Sequence, residues 1–473
     1  MRLLAVALLL LALAGGAGWA AIDVDAAPEP TAASQSRATT PVLSVRRTPE
    51  ALLGTRRDAS VVAAVESIPP RIPGDGCLVV SEGGRELFAH GPTSPLIPAS
   101  TQKLLVATAM LDVMGKDDTF RTTAVAASAP VDGVIDGDLV IVGGGDPLLS
   151  TDAYIARQAD PDKPATRFED LADALVAAGV TEVRGSVVGD GSRYDDVRGI
   201  ATWPQRYRDQ VVVGPLSGLG VNDGLTSFTE TEVPVNPGRP ATDPPAHAAT
   251  VLTELLEERG VEVAGRPVSG PAPDGAVEIA AIESPPLGEV IGQMLRYSDN
   301  MTAELLVKEI AVRAGSEGST SAGLTSLTSS LAAAGISTDG VSLTDGSGLD
   351  LGNRATCRVL VQSLDIAGLQ SPLIDGLAVA GRSGTLQERM VGTAAESRLR
   401  AKTGSLRNVA ALAGIVEADN GRTYTFAYIT NVPEGQFVPD VDAELQRELG
   451  VALASLPPIE PPAEILPTAP VAP

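Results

Sequence analysis

The sequence predicts a mixed α/β (α+β) fold, and three observations support this class. Residues 76–92 and 409–432 each contain two apolar runs separated by a Gly-containing turn, which is the pattern of a β-hairpin. Residues 101–114 and 441–456 follow these pairs and have apolar side chains at helical spacing. Residues 124–279 mix short strands and helices with Gly- and Pro-rich turns, which indicates an additional, inserted α/β region.

The two ends of the chain are predicted to lie outside this folded part. Residues 1–22 have one Arg, an apolar run and then small residues, which is typical of an export signal and is also long enough for a membrane anchor. Residues 23–58 are interpreted as a linker, and residues 456–473 as a Pro-rich disordered tail. We therefore expect an exported, extracytoplasmic protein of the cell envelope or periplasmic space, and leave cleavage and membrane anchoring as open alternatives.

The composition excludes several classes of function. A formal net charge of −24 would repel nucleic acid and anionic membrane surfaces. A catalytic triad would have to use His90 or His247, and neither has a helpful neighbour in sequence. Cys77 and Cys357 are the only cysteines, so a disulfide scaffold and a cysteine-based metal site are excluded. These two could pair in an exported protein, but nothing brings their elements together, and two small buried thiols are the prediction.

Three short patterns carry the predicted chemistry, and each occurs once. They are Ser-x-x-Lys at Ser100 and Lys103, Ser-x-Asn at Ser298 and Asn300, and Lys-Thr-Gly at Lys402, Thr403 and Gly404. Lysine is otherwise scarce, with five Lys among the 35 basic residues. Arg stays protonated in proteins whereas Lys can lose its proton, so a Lys placed three residues after a Ser suggests a base.

Ser100 and Lys103 are predicted to act as nucleophile and base. Residues i and i+3 of a helix share a face, so the Lys103 amine can reach the Ser100 hydroxyl within one turn. A Ser hydroxyl needs a base, and a Lys can be that base if burial or a neighbouring cation favours its neutral form. Lys402 could be that cation. The start of the helix also offers free N–H groups where an oxyanion would develop.

Ser298 and Asn300 lie between two stretches with helical spacing, residues 286–297 and 301–315. A short connection between two helices can direct both side chains into a cleft. Ser298 would relay a proton to the leaving group, and Asn300 would hold a substrate amide. Both residues are therefore predicted to be catalytic.

The third pattern lies on a predicted strand. Lys402, Thr403 and Ser405 would bind a substrate carboxylate, and Gly404 would allow close approach of the backbone. The backbone N–H groups of Ser100 and Ser405 would form an oxyanion hole. These assignments cover every step of an acyl transfer.

The three patterns together form the signature of penicillin-binding proteins and serine β-lactamases. The chain resembles the D-alanyl-D-alanine carboxypeptidase/endopeptidase family, the class C low-molecular-mass penicillin-binding proteins. Further stretches similar to that family are "VGGGDPLL", "VVGDGSRYDD", "TWPQRYRD", "LSGLGVNDG", "TDGSGLD" and "AVAGRSGTLQERM". One departure is Gly224, where the family usually has Asn.

The resemblance covers residues 59–455 and implies a serine β-lactamase/DD-peptidase-like antiparallel sheet flanked by helices. Residues 59–123 and 280–455 would form the peptidase domain. Residues 124–279 would be the inserted region, a structural support beside the cleft.

The resemblance also implies a function. The chain would be a serine D-alanyl-D-alanine carboxypeptidase/endopeptidase acting on peptidoglycan stem peptides through an acyl-enzyme on Ser100, which β-lactams would also acylate. No metal or organic cofactor would be needed. A β-lactamase or esterase on the same scaffold, and a poorly active cell-wall binding protein, remain alternatives.

Overall fold

The computed structural model describes residues 48–233 and 236–458, and these contain a compact unit that begins at Leu53. The predicted export segment, residues 1–22, lies outside the described residues, as does nearly all of the predicted tail. Residues 23–47 of the predicted linker also lie outside the described residues, and residues 48–58 differ from the prediction because a helix begins at Thr48. None of the helices in the described ranges is long and apolar enough to cross a lipid bilayer.

Twelve α-helices occur in the described ranges. In chain order they are α1 Thr48–Val65, α2 Lys103–Val113, α3 Asp152–Ile155, α4 Glu169–Ala177, α5 Gln205–Asp209, α6 Pro244–Glu258, α7 Leu287–Tyr297, α8 Asn300–Arg313, α9 Thr320–Ala333, α10 Cys357–Ala367, α11 Pro372–Asp375 and α12 Val441–Ala454. Short 3₁₀ turns lie at Pro69–Arg71, Ala99–Gln102, Asn222–Gly224 and Gly384–Leu386.

Eighteen strands accompany them in the same ranges. They are β1 Asp75–Glu82, β2 Arg85–His90, β3 Arg121–Ala126, β4 Val134–Ile135, β5 Leu139–Val142, β6 Leu149–Ser150, β7 Thr166–Arg167, β8 Glu182–Val183, β9 Val187–Asp190, β10 Leu225–Phe228, β11 Gly238–Pro240, β12 Glu262–Val263, β13 Val268–Ser269, β14 Val277–Glu283, β15 Ala378–Val379, β16 Leu399–Leu406, β17 Val409–Glu417 and β18 Thr423–Asn431.

The main sheet has six antiparallel strands in the order β15-β16-β17-β18-β1-β2. Both predicted hairpins are present in it, as β1–β2 and β17–β18. Successive side chains of a strand point to opposite faces. Accordingly, Cys77 and Val79 enter one hydrophobic core and Leu78 and Val80 enter another.

Each face of this sheet is covered by helices. The first core joins the sheet to α2, α7, α8, α9 and α10, and the second joins it to α1 and α12. The predicted antiparallel sheet flanked by helices is confirmed.

The inserted region leaves and rejoins the main domain at adjacent points. The backbone N–H of Ser284 donates to the Phe120 carbonyl at 2.9 Å, and the Ser284 hydroxyl accepts from the Phe120 N–H at 2.9 Å. From there β3 and β14 run antiparallel along their length. The predicted boundaries, 124 and 279, therefore fall inside two paired strands, and the pairing moves them outwards to about residues 121 and 283.

The inserted region has its own sheets and core. A five-stranded mixed sheet has the order β13-β9-β5-β3-β14, and a three-stranded parallel sheet has the order β12-β8-β4. Helices α4 and α6 pack on these strands around buried aliphatic residues that include Leu171 and Leu252. The prediction of an additional α/β region is confirmed in this part of the chain.

Cys77 and Cys357 form a disulfide, which corrects the prediction of two separate buried thiols. Cys77 lies in β1 and Cys357 is the first residue of α10, and both are fully buried in the same core. The contact is between elements 280 residues apart in sequence, which no local pattern could reveal.

Removing this disulfide is expected to lower the free energy of unfolding by about 2–5 kcal/mol, because the cross-link restricts the unfolded chain. The measurement is urea unfolding of the wild type beside the Cys77→Ala/Cys357→Ala double variant. The wild type in the presence of reductant serves as a second comparison. Equal unfolding midpoints in all three samples would contradict the expectation.

Candidate active site

Ser100 lies in the 3₁₀ turn Ala99–Gln102, which continues directly into α2. The turn begins with a strained residue, since Ala99 is fully buried and has a φ of +46°. Because Ser100 and Lys103 are three residues apart across this turn, their side chains lie on the same face. The Lys103 amine is 3.0 Å from the Ser100 hydroxyl oxygen. The structure thus brings together the pair that the first motif predicted.

Lys103 is fully buried and has three polar neighbours. Besides the Ser100 hydroxyl, its amine contacts the Asn300 side-chain oxygen at 2.8 Å and the Ser347 carbonyl at 2.8 Å. These last two groups can only accept. A neutral amine can donate to both and still accept the proton of the Ser100 hydroxyl. This geometry therefore suits a general base.

Burial lowers the pKa of Lys103 to about 8, while the charges of Asp345, Glu304 and Asp299 oppose that change. Burial, rather than a neighbouring cation, is thus the cause that dominates at Lys103. Lys402 is also fully buried, and its amine donates to the Thr403 carbonyl at 2.8 Å. Burial, reinforced by the charge of Lys103, lowers the pKa of Lys402 well below its usual range.

The second motif lies at the predicted connection between helices. Helix α7 ends at Tyr297, and Ser298 takes the left-handed conformation with a φ of +62°. Asp299 caps α8, because its side chain accepts from the Thr302 N–H at 3.0 Å. The sharp reversal at half-buried Ser298 lets Asn300, at the start of α8, reach Lys103.

The third motif lies on β16, which runs beside the turn that carries Ser100. A Cβ atom on Gly404 would lie 2.7 Å from the Pro98 carbonyl oxygen, so only glycine allows this approach. The Thr403 hydroxyl donates to the Thr385 hydroxyl at 2.9 Å, and Ser405 is exposed. The strand therefore places Lys402, Thr403 and Ser405 alongside the nucleophile turn.

Comparisons with known proteins agree with this geometry. Residues 62–242 and 233–449 match the D-Ala-D-Ala carboxypeptidase 3 (S13) family. The chain is 33% identical over 414 residues to a carboxypeptidase of Mycobacterium tuberculosis, covering 86% of this chain and 85% of that protein. It is 31% identical over 435 residues to a D-alanyl-D-alanine carboxypeptidase of Actinomadura, covering 76% and 78% respectively.

The chain belongs to the S13 family. The enzyme class that the family resemblance implied, a serine-type D-Ala-D-Ala carboxypeptidase, is thereby confirmed. Penicillin-binding protein 4 of Haemophilus influenzae shares the fold, with a TM-score of 0.68, 20% identity, and coverage of 83% of this chain and 99% of its own. A structure of the same protein with a bound β-lactam has a TM-score of 0.61, 19% identity, and coverage of 84% and 99%.

The turn that supports Lys103 in this S13 carboxypeptidase, through the Ser347 carbonyl, is not part of the three predicted motifs. Asp345, fully buried, accepts from the N–H groups of Gly348 and Asp350, from the Asn353 amide and from the Trp203 indole. The stretch "TDGSGLD", residues 344–350, contains this turn and is one of the stretches similar to the family. Its distance in sequence from Lys103 concealed its role.

The inserted region of this S13 carboxypeptidase contacts the elements that form the site. The Trp203 indole N–H is 2.8 Å from the Asp345 carboxylate. Arg193 makes a two-bond ion pair, at 2.8 and 2.6 Å, with Glu309 of α8, and Asp195 pairs with the buried Lys308. These contacts hold the helix that begins with Asn300.

Proposed function

We propose that this chain is a serine D-alanyl-D-alanine carboxypeptidase/endopeptidase that acts on peptidoglycan stem peptides through an acyl-enzyme on Ser100. The observation that carries the proposal is the buried Lys103 amine 3.0 Å from the Ser100 hydroxyl. The printed names of the relatives, carboxypeptidase and D-alanyl-D-alanine carboxypeptidase, support the reaction class.

In the acylation step, the Ser100 oxygen attacks the carbonyl carbon of the penultimate D-Ala, and its proton passes to Lys103. The backbone N–H groups of Ser100 and Ser405 would stabilise the oxyanion. Ser298 would pass a proton to the amine of the leaving D-Ala as the C–N bond breaks. Asn300 anchors the Lys103 amine and would also hold the substrate amide.

Lys402 and Thr403, with Gly404 and Ser405 on the same strand, form the proposed carboxylate site. A buried amine with a lowered pKa gains its proton readily when a carboxylate binds beside it, because the new anion favours the charged form. Carboxylate binding and protonation of Lys402 are therefore expected to be coupled. A water molecule would then attack the acyl-enzyme, releasing the shortened peptide and returning the proton to Ser100.

The proposal extends to the place and partners of the enzyme. Stem peptides lie outside the cytoplasm, so we propose an extracytoplasmic location reached through the export segment, with membrane anchoring open. β-Lactams would acylate Ser100, in agreement with the bound β-lactam in the Haemophilus influenzae protein. The chain on either side of the inserted region would form the catalytic domain, and the inserted region would support the cleft.

The test is intact-protein mass measurement after incubation with benzylpenicillin, beside a Ser100→Ala control. We expect one penicillin added to the wild type and none to the variant. Release of D-Ala from a synthetic stem pentapeptide would establish the peptidase reaction. Rapid destruction of the drug without an adduct would favour a β-lactamase, whereas no adduct and no turnover would refute the assignment of Ser100.

A further inference from the structure

A turn of backbone lies between Lys103 and a buried carboxylate, Glu304. Glu304 follows Asn300 by four residues, so both project from the same face of α8. Its side chain is fully buried. One carboxylate oxygen accepts from the Ser347 N–H at 2.7 Å, and both oxygens lie 3.1 Å from the Gly346 nitrogen. Glu304 therefore anchors two consecutive backbone donors.

The same turn contacts the base from its other side. Ser347 donates its N–H to Glu304 and offers its carbonyl oxygen to the Lys103 amine at 2.8 Å. One peptide segment thus connects the carboxylate to the amine. The hydrogen bonds of Glu304 go to the backbone of this turn and not to Ser100, so its effect on the reaction passes through the turn that contacts Lys103.

The position of the turn leaves little room for adjustment. Gly348, with a φ of +84°, packs so closely that a Cβ atom there would lie 2.0 Å from the Ala99 carbonyl oxygen. Asp345 fixes the other end of the turn through the Gly348 N–H at 2.8 Å. A shift of the turn would consequently move the nucleophile turn and the Lys103 acceptor together.

Charged groups from several elements surround Glu304 and Lys103. Asp345 comes from the turn, Asp299 from the start of α8, and Lys402 from β16. Burial and the charge of Asp345 raise the pKa of Glu304 to about 7, and the hydrogen bonds from Gly346 and Ser347 oppose that rise. Ionised Glu304 in turn favours the protonated form of Lys103.

We propose that Glu304 is a positioning residue for Lys103, which holds the Gly346–Ser347 backbone against the amine and adjusts through its charge how readily that amine gives up its proton. This inference rests on the proposed function, in which neutral Lys103 is the base. It assigns to a residue outside the three motifs a role in setting the pH dependence of acylation.

The direction of the effect follows from the charge. Acylation requires neutral Lys103, so its rate rises with pH as the ammonium group loses its proton. Glu304→Gln removes a negative charge that stabilises the ammonium form, while the amide oxygen can still accept from Ser347. The midpoint of the curve of acylation rate against pH is therefore expected to lie about one pH unit lower in this variant than in the wild type.

The experiment measures the rate of acylation by benzylpenicillin, by quench and intact mass, from about pH 5.5 to 9.5. The full chain is used as wild type, Glu304→Gln and Glu304→Asp. Glu304→Asp keeps the charge but withdraws the carboxylate from the turn. Its midpoint is expected to stay near that of the wild type, while its maximal rate falls by about tenfold or more.

Glu309→Gln is the matched control. Glu309 lies five residues after Glu304 on α8, and its side chain is also fully buried and acidic. It pairs with Arg193 and Arg313 rather than with the turn. Its midpoint is expected to stay at the wild-type value. A midpoint shift of the same size in Glu309→Gln and Glu304→Gln would overturn the inference.

The outcomes separate this inference from the proposed function. Failure of wild type to form any adduct would refute the proposed function and remove the inference with it. An adduct on wild type, with a Glu304→Gln midpoint that is unmoved or moved to higher pH, would overturn the inference alone. If Glu304→Gln does not fold, Glu304→Asp decides, because a shifted midpoint with an unchanged maximal rate would contradict the proposal.

Discussion

The Lys103→Met variant is expected to acylate with benzylpenicillin about 10³-fold more slowly than the wild type, because loss of a general base removes a factor of about 10²–10⁴. Methionine fills a similar buried volume but cannot accept the Ser100 proton. The hydroxyl then attacks without a base, while the Asn300 oxygen and the Ser347 carbonyl lose their donor. The measurement is the rate of adduct formation by intact mass at pH 9, where the wild-type amine is largely neutral.

Lys308→Met serves as the control for this prediction. Lys308 is also fully buried, but it pairs with Asp195 and has no contact with Ser100. We expect this variant to be less stable, since Asp195 loses its partner, and to acylate at close to the wild-type rate while folded. If Lys103→Met also acylated at close to the wild-type rate, Lys103 would not be the base.

Gly348→Ala is expected to lower the free energy of unfolding by about 3 kcal/mol or more and to abolish rapid acylation. The added Cβ would lie 2.0 Å from the Ala99 carbonyl oxygen, and the residue would have to hold a φ of +84°. Relief of this contact requires the turn and the segment that carries Ser100 to separate. Urea unfolding and the acylation rate measure the two parts of the expectation.

Gly335→Ala provides the matched comparison. Gly335 has a similar φ of +80°, but a Cβ atom there would meet no other atom within 4 Å. Gly335→Ala is therefore expected to lower the free energy of unfolding by only about 1 kcal/mol, the cost of placing Ala in the left-handed backbone conformation. Equal effects of the two substitutions would show that the contact with Ala99 does not constrain the active site.

The parts of the site that depend on local geometry could be predicted from sequence. Ser100 and Lys103 lie within one helical turn, and Ser298 and Asn300 lie at a single reversal between helices, so their relation follows from spacing alone. The two hairpins could also be predicted, because apolar runs and turn residues that are close together in sequence determine them. The inserted region was predicted as a unit, with its boundaries a few residues short.

The parts of the fold and of the site that depend on long-range packing could not be predicted from the sequence. Glu304 and Asp345 support Lys103 from other elements, and their acidic side chains resemble ordinary surface residues in the sequence. Cys77 and Cys357 pair only because β1 packs on the start of α10. Similarly, the helical character of residues 48–58 comes from a helix that continues to Val65 and packs on the sheet.

The adjacency of residues 120 and 284 has a consequence for how the chain is made. During synthesis, every strand of the inserted region's sheets is available once residue 283 has emerged from the ribosome, so β3 and β14 can then pair. The main sheet has no such opportunity, because β1 pairs with β18, whose last residue is Asn431. In a growing chain the sheets of the inserted region can therefore form before the main sheet is complete, and a product that ends before β18 would lack a strand of the sheet beside which its serine lies.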